Sequence, residues 1–181
     1  MESEFVPFRK GGRGLKTKRL IRLALLAAIA LTIFMVELQI PSPVPIPGVK
    51  LGLSNIVTVY CVFLYGPWSA LSVLLCRVVL GAVFSGRIAA LAYSLAGGLL
   101  SWALMCLLRR IVTEKQLWVC SVLGGIAHNV GQVLVAMVIT GTPSIAVYFP
   151  VLALSGMIAG LFTGLCAQAF LRHMRRIGHH P

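Results

Sequence analysis

Six apolar runs, at about residues 21–40, 51–66, 67–85, 88–108, 117–140 and 149–171, leave this chain almost no room for a water-soluble fold. Each approaches the roughly 20 residues a helix needs to cross about 30 Å of hydrocarbon, where every backbone N–H and C=O must be satisfied within the chain. The expectation is an all-α integral membrane protein of six transmembrane helices. Residues 1–20 and 173–181 would be basic tails flanking one transmembrane domain at 21–172. The second run is the shortest, and Gly66-Pro67 marks a tight turn at its end, so a tilted or shortened helix is expected there. The first run exceeds the roughly 7–15 apolar residues of a cleavable signal, so it is expected to remain as a membrane helix.

Charge is scarce and one-sided. Only 11% of the residues are charged and 59% are hydrophobic, yet Lys plus Arg number 16 against 4 Asp plus Glu. In a soluble protein that surplus would suggest nucleic acid, which is recognised by basic groups on a solvated face. Here the basic residues gather at the ends of apolar runs, and nucleic acid is discounted as a partner. Arg9, Lys10, Arg13, Lys16, Lys18, Arg19 and Arg22 precede or open the first run; Arg109, Arg110 and Lys115 lie between the fourth and fifth; Arg172, Arg175 and Arg176 follow the sixth. With these thirteen on one side of the lipid bilayer, the positive-inside rule places both termini in the cytoplasm. All the acids are Glu, which removes the paired-Asp sites that hold magnesium on a diphosphate. Cys61, Cys76, Cys106, Cys120 and Cys166 fall one to a run without CxxC spacing and read as small apolar filler. His179 and His180 read as tail, and no metal site or catalytic residue is expected.

The polar residues inside the runs carry the functional information. At about 1.5 Å rise per residue, Arg77, ten residues after Pro67, lies about 15 Å deep, as does His128, ten after Trp118. Glu37, sixteen residues after Ile21, lies about 24 Å deep by the same rise, nearer in depth to Lys50 and Arg87 than to Arg77. Lys50 and Asn55 begin the second run from outside, Arg87 and Tyr93 the fourth, and Asn129 and Gln132 accompany His128. A midplane charge costs about 2.5–3.5 kcal/mol on insertion scales, so Arg77 should face the interior or a wet cavity and have a partner. Lys50, Arg77 and Arg87 share one non-cytoplasmic carboxylate, Glu37. The candidate substrate-binding set is therefore Glu37, Lys50, Asn55, Arg77, Arg87, Tyr93, His128, Asn129 and Gln132, lining an outward-facing pocket for an anionic or carboxylate-bearing small molecule. The alternative is a structural ion-pair network, with Lys50 and Arg87 at the lipid interface and His128 packed against a neighbouring helix. The proline-rich stretch at 41–50 cannot be helical; it reads either as a lid over the outer mouth or as a rigid connector.

Small residues predict close helix packing. Gly156, Gly160 and Gly164 share one helical face, and Gly97, Gly98, Gly124, Gly125 and Gly131 suggest a tight bundle. Ala24 and Ala28 form a small-xxx-small pair where another membrane subunit could dock, although packing within the chain would use the same pattern.

The strings ELQIPSPVPIPGVKLGLSN at 37–55, RVVLGAVFSG at 77–86, YSLAGGLLS at 93–101, GGIAHNVGQ at 124–132 and YFPVLALSGMIAGLFTG at 148–164 resemble the bacterial Gx transporter family, also labelled heptaprenyl diphosphate synthase component I. The resemblance spans about residues 18–171. It implies a protein of the bacterial cytoplasmic membrane with a bundle similar to the substrate-binding S components of energy-coupling factor transporters. Those proteins bind a vitamin-like solute in an outer pocket closed by the loop between the first two helices, and depend on an energising module of two ATPases and a transmembrane coupler. The Ala24/Ala28 pair resembles their coupler-docking motif. No GxxxxGK[ST] phosphate loop is present, so any ATP would be used by such a partner. The label also leaves open a non-catalytic accessory subunit of a prenyl diphosphate synthase. The family's implied association with flavin transfer leaves open a membrane partner in extracellular electron transfer holding a flavin or quinone. The chain is not expected to be an enzyme.

Overall fold

Backbone that crosses hydrocarbon has to close its hydrogen bonds internally, and every long apolar run is helical. The computed structural model describes residues 13–40, 52–86, 88–113 and 116–176. Its elements are α1 (Arg13–Glu37), α2 (Asn55–Leu64), α3 (Pro67–Ser85), α4 (Ile88–Leu108), α5 (Leu117–Thr140) and α6 (Phe149–Arg176), with a 3₁₀ turn at Pro143–Tyr148 leading into α6. No strand occurs among the described residues. All the helices except α2 are long and apolar enough to cross a membrane.

The second run departs from its expected bounds of 51–66. Only Asn55–Leu64 is helical, and ten residues rise about 15 Å, half of a bilayer core. Gly52 at φ +81° breaks the chain direction, and the Asn55 N–H donates to Gly52 O at 2.9 Å in the tight turn that starts the helix. What α2 lacks in length it gains in burial. It packs against each of the other five helices, and Asn55, Val57, Thr58, Val59, Tyr60, Cys61 and Val62 are all buried. A helix with no charged face belongs in the interior, and α2 is the axis around which the longer helices stand.

The α5–α6 seam realises the glycine stripe. A Cβ on Gly160 would lie 2.7 Å from Ser121 O, and one on Gly164 would lie 2.7 Å from Trp118 Cα. Ser121 Oγ and Thr163 Oγ1 meet across the seam at 3.0 Å. The ends of α1 and α4 fasten the α2–α3 turn: Arg19 Nη2 donates to Tyr65 O at 3.2 Å and to Ser69 Oγ at 2.5 Å, and Trp102 Nε1 donates to Pro67 O at 3.0 Å.

Burial runs opposite to that of a soluble domain. Leu20, Ile21, Leu25, Val83, Phe84, Val138, Ile158 and Phe162 are exposed, while Arg77, Asn55, His128, Asn129 and Gln132 are buried. An apolar surface of this extent around a polar interior is what lipid as the outer solvent selects. Inside, one apolar cluster gathers Ala27, Val59, Val73, Met105, Leu117 and Ala167 from all six helices. A smaller one joins Tyr93, Val133, Ala136 and Leu152. The buried polar residues of α5, Ser121, His128, Asn129 and Gln132, fall in sequence between the two clusters' contributions to that helix.

Candidate functional site

The polar layer is assembled at the start of α2. Glu37 ends α1 and is buried, and its Oε1 accepts the Gly52 N–H. The turn after Gly52 presents Ser54, whose Oγ accepts from Arg77 Nη1 at the middle of α3. These two hydrogen bonds tie α1 to α3 through the turn. A side chain at position 52 would be strained at φ +81°, and its Cβ would lie 3.0 Å from His128 Cδ2 and 3.2 Å from Asn55 Nδ2. Gly52 therefore lets the Asn55 amide and the His128 ring close around the turn.

His128 enters from α5. Its ring packs on Gly97 of α4, where a Cβ would come within 2.9 Å of the ring and 2.7 Å of the His128 carbonyl. Gln132, one helical turn along, sets its Nε2 3.0 Å from His128 Nε2. Which of the two groups donates is set by the tautomer of the ring and the orientation of the amide. Asn129 turns away from the layer: its Nδ2 donates to Leu152 O on α6 at 2.5 Å. Three polar residues expected to act together on α5 are thus divided between two interfaces.

Arg77 is the centre of the arrangement and only 2% exposed. The Phe34 ring centroid lies 5.9 Å from its Cζ. Glu37 is within electrostatic reach, although depth along the sequence separates the two. The turn at 52–54 supplies the connection that helical rise could not show. Arg77 Nε and Nη2 are buried without a hydrogen-bond partner, and so are both polar atoms of the Asn55 side chain. Buried groups of this kind are costly to leave unmade, and they are what an incoming polar ligand would satisfy.

Of the residues expected to form a site, Glu37, Asn55, Arg77, His128 and Gln132 come together. Tyr93 lies in the smaller apolar cluster. Lys50, Arg87 and the 41–50 stretch lie outside the described residues. Ala24 and Ala28 are exposed on α1. Sequence reasoning missed Gly52, Ser54 and Phe34, and it read Gly97 as a packing glycine without connecting it to the site. Phe34 stands one turn before Glu37 on the same face of α1, and Gly52 and Ser54 sit beside Asn55 in the 37–55 string, so a signal existed for three of them. Nothing local marked Gly97 as the seat of a ring on another helix.

Over residues 26–170 the chain matches the family described as heptaprenyl diphosphate synthase component I, and it belongs to that family. No curated protein and no solved structure matches the chain.

Proposed function

We propose that this multi-pass membrane protein is the solute-binding subunit of a transporter, similar to the S components of energy-coupling factor systems, and that it holds a small anionic or amphipathic solute in the polar layer around Arg77. One observation carries the reading: a buried arginine whose Nε and Nη2 have no hydrogen-bond partner is bound through Nη1 to Ser54, the residue before a buried asparagine with neither side-chain atom hydrogen-bonded. A purely structural ion pair inside a bundle gains its stability by having its hydrogen bonds satisfied, whereas a receptor keeps donors and acceptors for its ligand.

Both termini face the cytoplasm in this reading, by the distribution of basic residues, and the layer is reached from the opposite side. Lys50 and Arg87 contribute positive charge on that side. The exposed Ala24/Ala28 face of α1 is where a transmembrane coupler of an ATP-driven module docks. The protein binds and does not catalyse. Native mass spectrometry of the gently solubilised chain tests the reading: a co-purifying small molecule, lost from Arg77→Gln, is the expected result. A wild-type spectrum without any bound solute, from protein that remains folded, counts against it. Uptake into proteoliposomes by this chain alone, with no ATPase, would make it a facilitator instead.

The family's description favours a second reading, an accessory subunit of a prenyl diphosphate synthase. Chain elongation itself needs acidic clusters to hold magnesium on diphosphate, and a chain without Asp is poorly equipped for that step. A prenyl diphosphate in the native spectrum would favour this alternative. A flavin or quinone could place its ring carbonyls against the Arg77 and Asn55 donors, and its appearance there would point to an electron-transfer partner.

A further inference from the structure

Resting on the solute-binding reading, we infer that the Nε–Nη2 edge of Arg77 is the anchor for a single carboxylate, and that the Asn55 amide reads a neighbouring donor–acceptor edge on the same solute. The guanidinium has three sides on which it can bind. Its Nη1 corner is taken by Ser54 Oγ, and the Phe34 ring approaches it, with the centroid 5.9 Å from Cζ. What is left is the edge formed by Nε and Nη2, both buried and both without a hydrogen-bond partner. Those two N–H groups point in parallel, in the fork that matches the two oxygens of a carboxylate.

Charge limits what the fork can take. Among the described residues Arg77 is the one buried cation, and Glu37 is the one buried anion. Within the described residues that pair is balanced, so a monoanion adds one negative charge, which the positive charge proposed for Lys50 and Arg87 on the outer side would help to offset. A phosphate monoester or a diphosphate adds two or three, with no buried cation among the described residues left to meet them, and unpaired charge in a low-dielectric interior is strongly disfavoured. A solute whose acidic group is a carboxylate satisfies the fork at the smallest electrostatic cost.

Asn55 adds the second element of recognition. It begins α2 one residue after Ser54, and its amide stands beside the His128 ring at the Gly52 turn. An amide with free Nδ2 and Oδ1 offers one donor and one acceptor side by side. Its complement is another such pair: an amide, a ureide or an amino-heterocycle edge.

The test uses the full chain in lipid nanodiscs and two readouts. Thermal unfolding is followed during titration with sodium propionate, sodium phosphate or sodium pyrophosphate at matched ionic strength, and native mass spectrometry identifies any co-purified solute. Propionate is expected to raise the unfolding midpoint saturably while phosphate and pyrophosphate do not, a comparison that needs no variant. Arg77→Lys keeps the charge without the fork and is expected to weaken propionate binding by about tenfold or more. Asn55→Ala should lose the co-purified solute, and a solute retained at the wild-type level would overturn the role given to the Asn55 amide. Phosphate or pyrophosphate stabilising as well as propionate would overturn the inference, as would propionate binding that survives Arg77→Lys unchanged. A retained solute lacking a carboxylate would overturn it while the solute-binding reading stands. No retained solute and no anion effect would overturn both.

Discussion

Arg19 and Arg77 make the same kind of contact and do different work. Each donates to a serine hydroxyl at the start of a helix, Arg19 to Ser69 in the first turn of α3 and Arg77 to Ser54 just before α2. Arg19 is half-buried and also holds Tyr65 O, so its guanidinium straps the α2–α3 turn to α1. Arg77 is buried in the polar layer with an edge to spare. Partial exposure gives the first arginine access to water or lipid headgroups, whereas burial denies the second that outlet. The same side chain is a fastener at one end of the bundle and, near its middle, is left with two buried N–H groups that have no hydrogen-bond partner, which is the basis of the binding role proposed for it.

Removing the buried charge should separate the two arginines most strongly. Arg77→Gln should weaken solute binding by roughly ten- to a hundredfold, since a hydrogen bond to a charged group is worth about 1.5–3 kcal/mol. It should leave insertion intact, because a midplane cation is itself a cost. Binding to nanodisc-embedded protein and the yield of membrane-inserted chain measure the two effects. A variant that failed to insert while its surviving fraction bound normally would make Arg77 a second fastener.

Arg19→Ala should do the reverse. Losing its hydrogen bonds to Tyr65 O and Ser69 should cost about 1–2 kcal/mol of stability, read as a lower denaturant midpoint in mixed micelles, with solute affinity unchanged. Weaker binding in Arg19→Ala would mean that the α2–α3 turn transmits strain to the layer and that the two arginines are not independent.

Asn129→Ala sharpens the boundary of the layer. The Leu152 carbonyl would lose its donor from α5, and a loss of about 0.5–1.5 kcal/mol is expected, again with unchanged affinity. If Asn129→Ala instead bound solute poorly, the α5–α6 seam would belong to the site.

Ala28→Leu should have the smallest effect on the isolated protein, within about 0.5 kcal/mol, because the position is on the exposed face of α1. Its consequence should appear only when the partner is present, as reduced co-purification with a membrane coupler and reduced ATP-dependent uptake. Unchanged uptake would move the docking surface elsewhere.

Much of the fold was legible before any coordinates. Hydrocarbon accepts helices and little else, so long apolar runs announce themselves, and the spacing of Gly156, Gly160 and Gly164 marked one tight face of α6. The rise of a helix also put Arg77 and His128 at similar depth. Depth, however, is a property of one helix, while contact is a property of several. The same arithmetic kept Glu37 away from Arg77 and grouped Asn129 with His128, and the structure couples the first pair through Gly52 and Ser54 and separates the second.

What the sequence determined by itself was the solvent, the helical class and the short roster of polar residues that hydrocarbon would not otherwise tolerate, because each follows from local composition and periodicity. That the shortest helix is the axis of the bundle, and that the turn leading into it brings Glu37, Arg77 and His128 into one layer, is settled by the packing of the whole chain. Those outcomes depend on how the chain closes between α1 and α2 and on which glycines let a neighbouring ring or backbone approach, and interactions between residues distant in sequence leave no periodic trace in it.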